Sequence, residues 1–270
     1  MSGLTSLLTA AVEVLETAEP KAKAAAAAVA GDLRDAGAPL GAPSALPDRP
    51  ARPARPELVP PGEVPRRRLG SPEGRAALLH AIAHIEFNAI DLAFDMAARF
   101  AREIEAAGLD GTAFARDWIS VGGEEARHFR MIEARLADLD CRYGDLPAHD
   151  GLWEAAESTS HDALARLAVA PLILEARGLD VTPDMIERLN SAGDNASAAA
   201  LEVIYREEVG HVACGKRWFD ALCAARGLQP EETFKSLRNR HFRGQLKPPF
   251  NHEARAKAGL SQGFYEPIGN

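Results

Sequence analysis

Arg206-Glu207-Glu208-Val209-Gly210-His211, read with the earlier Glu124-Glu125-Ala126-Arg127-His128, decides the fold. In each stretch a Glu precedes a His by three positions, and residues three apart on an α-helix share a face about one turn from each other. One such pair would mean little. Each of these, however, follows a lone Glu set in an apolar helical run, Glu86 before the first and Glu175 before the second. The resulting order, Glu, Glu-x-x-His, Glu, Glu-x-x-His, is the ligand set of a dinuclear metal site inside a four-helix bundle. The candidate metal ligands are therefore Glu86, Glu125, His128, Glu175, Glu208 and His211.

Four helices can be laid out around these residues. The first starts at Ser71-Pro72, a side-chain cap followed by a proline at the first helical position, and runs to about Ala107 before Gly108. Glu86 falls inside its apolar stripe of Leu79, Ile82, Ala83, Ala89, Ile90 and Ala93. An unpaired carboxylate buried there would be costly, so it faces a cation, takes up a proton or bonds to a neighbouring helix. The second helix, about Gly111 to Asp140, carries Glu125 and His128 on its apolar face, while Glu124 and Arg127 read as solvated or outer charges. Gly122 and Gly123 weaken helix propensity just before the pair and imply close approach of a neighbour.

The stretch from Cys141 to Ser160, with a short helical piece around Leu152-Trp153, is long enough for the crossover that ferritin-like bundles place between their second and third helices. The third helix is expected from about His161 to Arg177, kinked by Pro171 and stopped by Gly178. Asp180-Val181-Thr182-Pro183 should then cap a separate short helix to about Ala192. The fourth runs from near Asp194 to about Arg226. Tyr205, three residues before Glu208, is a candidate catalytic side chain, with a hydrogen-bonded core tyrosine as the plainer reading. The intervals Glu86 to Glu125 and Glu175 to Glu208 each fit the rest of one helix, a turn and the way back, which returns the ligands to one height.

Outward from the bundle, residues 69–229 form the metal-binding unit, 1–68 an N-terminal part and 230–270 a basic extension packing on the bundle. The N-terminal part begins with an amphipathic helix on Leu4, Leu7, Leu8, Ala11, Val12 and Leu15, followed by an Ala-rich helix from Lys21 to Ala36. Nine prolines between Pro39 and Pro65 then exclude helix and favour an extended arm. Glu13 and Glu16, with no basic lead, argue against a signal peptide. The chain of 270 residues has 46% hydrophobic and 6% aromatic residues, enough for a large helical core. A net charge of -8 gives no global reason for a nucleic-acid partner. Cys141, Cys214 and Cys223 lack metal-type spacing and read as reduced core thiols of a cytoplasmic protein, with no membrane segment.

Hard carboxylate oxygens and borderline imidazole nitrogens suit two iron ions, with manganese or a mixed pair as the alternative. Four carboxylates balance two dications, and open coordination positions admit dioxygen. The expected activity is a dioxygen-activating oxidoreductase, a hydroxylase or oxidase needing an electron donor, acting as monomer or dimer on an unidentified small or nucleotide-linked substrate. Iron storage or peroxide detoxification is the alternative within metal chemistry. A non-catalytic RNA-binding bundle is the alternative outside it, using the basic stretch of Lys235, Arg238, Arg240, Arg243, Lys247, Arg255 and Lys257. That stretch is equally suited to neutralising the acidic bundle.

From about Arg75 to Tyr265 the chain resembles the bacterial ferritin-like proteins grouped as a domain of unknown function, and more distantly the di-iron tRNA hydroxylases that modify an isopentenylated adenosine. The resemblance rests on His84-Ile85-Glu86, Glu124-Glu125-Ala126-Arg127-His128-Phe129, Tyr143-Gly144-Asp145-Leu146-Pro147, Leu174-Glu175-Ala176-Arg177-Gly178, Glu208-Val209-Gly210-His211 and Lys247-Pro248-Pro249-Phe250-Asn251. It implies a di-iron centre on the same six residues. By helical angle His84 should lie away from Glu86 as an outer or surface group, and Arg177 should form a helix-end salt bridge.

Overall fold

The computed structural model describes residues 6–42, 45–64 and 69–266. Two short helices lead the chain, α1 (Leu7–Glu16) and α2 (Pro20–Asp35). The bundle follows as α3 (Pro72–Ala106) and α4 (Gly111–Ala137), a crossover carrying α5 (Gly151–Ser158), then α6 (Ala163–Val169), a π-helical segment (Ala170–Glu175) and α7 (Ala176–Ser191) as one broken rod, and α8 (Asn195–Ala225). After these come α9 (Pro230–His241), α10 (His252–Lys257) and α11 (Gln262–Tyr265). Among the described residues the only β pairing is an isolated bridge between Leu58 and Ala148. The protein is all-α, a ferritin-like four-helix bundle with extensions at both ends.

The starts of these helices are written in the sequence. Ser71 Oγ accepts from Gly74 N at 3.1 Å, Asp110 from Ala113 N at 2.9 Å and Asp194 from Ser197 N at 3.1 Å, so amides left over in the first turn are satisfied by the preceding side chain. The helix α3 is long and apolar enough to cross a membrane by length and composition, but most of its apolar window is buried by its neighbours in the bundle.

The third bundle rod departs from the expected layout. Gly178 does not end it, and Pro183 lies inside α7 rather than opening a new helix. A proline at 183 cannot donate to the carbonyl of Leu179, four residues back. That carbonyl instead accepts from Asn251 Nδ2 at 3.2 Å, so the C-terminal arm completes the bond the proline removes. Pro171 acts as expected in breaking the regular ladder, and the break takes the form of the π segment that ends on Glu175. Gly215 of α8 packs against it: a Cβ there would lie 2.4 Å from the Pro171 ring.

Both extensions are bound to the bundle by buried ion pairs. Lys23 of α2 is fully buried and pairs with Asp91 of α3, while also donating to Val14 O at 3.1 Å. Arg52 of the Pro-rich arm joins the same Asp91 at 3.3 Å and Asn88 at 2.7 Å. At the other end, Arg255 of α10 is buried against Asp180 of α7 at 2.7 Å. Arg177 pairs with Asp180 as expected and also donates to the carbonyls of Lys247 and Pro249. Leu4 of the expected amphipathic helix and Pro43 and Pro65 of the expected arm lie outside the described residues. Cys214 and Cys223 are buried free thiols, whereas Cys141, expected in the core, is only half-buried.

Candidate metal centre

Glu86 projects from the middle of α3, Glu125 and His128 from α4, Glu175 from the last position of the π segment, and Glu208 and His211 from α8. Ligand atoms of Glu86, Glu125, His128 and Glu208 all lie within 4.8 Å of one another. His128 Nδ1 is 3.3 Å from Glu86 Oε2 and 3.3 Å from Glu125 Oε2. His211 Nδ1 is 2.9 Å from Glu125 Oε1 and 3.5 Å from Glu208 Oε1. Glu125 thus turns one oxygen toward each imidazole. Glu175 stands close enough to Glu208 and Glu125 for their charges to act on its carboxyl.

Glu86 Oε2, Glu125 Oε1, Glu175 Oε2 and His211 Nδ1 are buried at this convergence without a well-aligned hydrogen bond, although His211 Nδ1 lies 2.9 Å from Glu125 Oε1 and His128 Nδ1 3.3 Å from Glu86 Oε2. Buried polar atoms are normally satisfied, and carboxylate oxygens and imidazole nitrogens gathered this closely away from solvent are the donor set of a cation site. Burial raises the Glu86, Glu175 and Glu208 carboxyls above their ordinary range, with neighbouring carboxylates adding to the shift. Burial works against the charged imidazole of His128, yet Glu125 and Glu86 raise it to about 11. His211 is likewise driven well up, against burial, by Glu125 and Glu208. Glu125 alone is held far down despite its burial, because both imidazoles face it. Protons on the two histidines do what a cation would do here, which is to offset the clustered carboxylates. The residues present could hold a metal ion.

The outer ring of the site is exchanged between helices. His128 Nε2 donates to Glu207 Oε2 of α8 at 2.6 Å, and His211 Nε2 donates to Glu124 Oε2 of α4 at 3.0 Å. Arg127 holds Glu207 in turn at 2.7 Å. Each Glu-Glu-x-x-His stretch therefore supplies an inner carboxylate, an imidazole, and an outer carboxylate for the other stretch's imidazole. Sequence reasoning left Glu124 with the solvated or outer charges and gave Glu207 no role. The repeated Glu-Glu doublet was the available signal.

Nearby, His84 is buried rather than on the surface, and it stands apart from the cluster with Nδ1 2.9 Å from Tyr143 Oη and Nε2 3.1 Å from His149 O. The Tyr205 hydroxyl accepts from Asn251 Nδ2 at 2.8 Å, which ties α8 to the C-terminal arm one turn from Glu208. Gly122 proves to be a packing glycine, since a Cβ there would meet the Phe94 ring at 2.5 Å, while Gly123 has open space around it.

A four-helix bundle that gathers carboxylates and imidazoles from its four rods into one buried, donor-poor centre defines a ferritin-like protein with a metal-chelating core. The chain belongs to the family described as "Protein of unknown function (DUF455)", which matches residues 13–266. A Haemophilus influenzae protein described as uncharacterized is 44% identical over 212 residues, covering 78% of this chain and 74% of its own length. No solved structure matches.

Proposed function

We propose that Glu86, Glu125, His128, Glu175, Glu208 and His211 hold two iron ions, and that the protein is a dioxygen-activating oxidoreductase acting on a small or nucleotide-linked substrate. The observation that carries this reading is the convergence of buried carboxylate and imidazole ligand atoms, several without a well-aligned hydrogen bond, at the centre of the bundle. Iron bound there supplies redox change and open positions for dioxygen. The chain's own residues supply the rest. Glu125, with an oxygen toward each imidazole, is suited to bridge, and Glu208, close to His211 and to the other three clustered ligands, is the second candidate bridge. Glu207 and Glu124 keep the Nε2 protons of His128 and His211 in place, which leaves each Nδ1 lone pair turned inward. The four rods exclude water from the carboxylates, so that charge is balanced by metal instead of solvent. A nucleotide-linked substrate is supported by the distant resemblance to di-iron tRNA hydroxylases.

Protein loaded anaerobically with Fe(II) should bind two equivalents per chain, and mixing with dioxygen should give a transient visible absorption band. Loss of stoichiometric iron in Glu125→Ala and His211→Ala is expected. Fully loaded protein that stays spectrally silent on mixing would overturn the oxygen chemistry, and failure to retain any divalent metal would overturn the site itself.

A further inference from the structure

A cleft of about 1030 Å³ opens between α2, the Pro-rich arm and the outer side of α4. At about 100° per residue, its α4 positions Arg130, Glu133, Ala134 and Ala137 lie about 80–180° around that helix from Glu125 and His128, on average on its far side. It is therefore separate from the metal centre. Four cations line it, and each comes from a different segment: Lys21 at the start of α2, Arg55 in the arm, Arg130 on α4 and Arg142 in the loop that follows. All four are exposed, and none forms an ion pair among the described residues. Several arginines elsewhere on the bundle are neutralised, Arg99 and Arg166 by Asp95, Arg135 by Asp194, Arg217 by Asp117 and Arg226 by Glu103 and Asp162, whereas the exposed Arg206 of α8 also lacks an ion pair. The cleft's two acids, Glu19 and Glu133, leave it with a positive excess.

This wall is built rather than incidental. The arm is fixed on one side of Arg55 by Arg52, bonded to Asn88 and Asp91. On the other side Ala148 N donates to Glu57 O at 3.0 Å and Val59 N to Ala148 O at 2.8 Å. Arg55 itself packs on Gly144, whose φ of +102° and 3.1 Å clearance to the Arg55 Cβ exclude a side chain at that position. The close approach brings Arg55 beside the loop that carries Arg142 and Tyr143. Between the cations the walls are small and apolar, Pro20, Ala25, Pro53, Ala54, Ala134 and Ala137, with the half-buried Tyr143 ring among them. The cleft thus sets apolar surface, including an aromatic ring, beside a concentration of positive charge.

We infer that this cleft binds a free phosphorylated small molecule with at least two negative charges and a ring, of the nucleoside diphosphate class. Guanidinium groups meet phosphate oxygens in bidentate pairs, and unpaired arginines from separate segments are the arrangement that does so. The volume stands at the upper end for small-molecule sites, which suits a nucleotide better than a lone phosphate ion. The ligand would bind with or without iron in the bundle.

Isothermal titration of the full chain with adenosine diphosphate, pyrophosphate and adenosine, at low and raised salt, tests the assignment. Adenosine diphosphate should bind most tightly, pyrophosphate more weakly and adenosine not measurably, with affinity falling as salt rises. Arg55→Ala and Arg142→Ala should each weaken adenosine diphosphate roughly tenfold or more, while Arg188→Ala, whose exposed guanidinium pairs with Asp184 away from the cleft, leaves it unchanged. Circular dichroism of the variants separates lost binding from lost fold. Three results would overturn the proposal: no binding of either phosphorylated probe at millimolar concentration, binding indifferent to both cleft substitutions, or binding of a single-stranded oligonucleotide through these arginines without binding of the nucleotide.

Discussion

At Glu125 burial is opposed by two imidazoles, those of His211 and His128. Burial alone would raise its carboxyl, as it raises those of its neighbours, but His211 and His128 hold it down. The protons on those histidines compete with metal for Nδ1, so metal uptake should release protons and tighten as pH rises. The sign for the metal-free fold is opposite. His128 is raised to about 11 from 6.5, and His211 is raised too, so the stability they contribute is complete below about pH 6.5 and is lost progressively as pH climbs toward 11. The raised Glu86, Glu175 and Glu208 add to the same fall. Melting of chelator-treated and metal-loaded protein between pH 7 and 9 should show the first losing Tm while the gap to the second widens. Glu124→Gln and Glu207→Gln should each lower metal affinity by about tenfold to a hundredfold without unfolding the chain, as read by competition with a chromophoric chelator. Of the two, Glu207→Gln should cost more, because Arg127 then loses its partner as well.

The rod formed by α6, the π segment and α7 owes its course to contacts made far along the chain. Gly215 lets α8 lie against Pro171, so Gly215→Val should force the two apart, destabilise by about 1–3 kcal/mol in urea unfolding and loosen metal binding through displaced Glu175. Elements whose causes are local were legible in the sequence: α3 was placed from Ser71-Pro72 to its end before Gly108, and α8 from its Asp194 cap. The convergence of Glu86, Glu125, His128 and Glu208 was legible too, because helical spacing sets which side chains share a face. What escaped was supplied from elsewhere. Gly178 and Pro183 read locally as breaks, and they are not, because Asn251 and Arg255 arrive from more than one helix away to satisfy Leu179 O and Asp180. Glu124 and Glu207 could not be assigned from one helix, since each acts on the other's histidine.

For the whole molecule, the extensions are part of the folded body and not appendages to it. Asp91 is fully buried, with Lys23 from α2 and Arg52 from the arm as its cations. Lys23→Ala would leave that carboxylate short of charge and should cost about 3 kcal/mol or more. A Lys23→Met, Asp91→Leu double variant, which removes both charges, should recover most of the loss in the same chemical denaturation assay. Charge distribution follows this plan: Arg255 of the basic C-terminal stretch is spent on Asp180, as a neutralising role for that stretch requires. The exchanged outer carboxylates carry a consequence for assembly. Neither half of the chain contains a finished imidazole ligand, since the residue that fixes each ring's tautomer belongs to the opposite half. A nascent polypeptide stopped before α8 has His128 without the carboxylate that holds its Nε2, so the cluster is complete only once the second pair of rods has docked on the first.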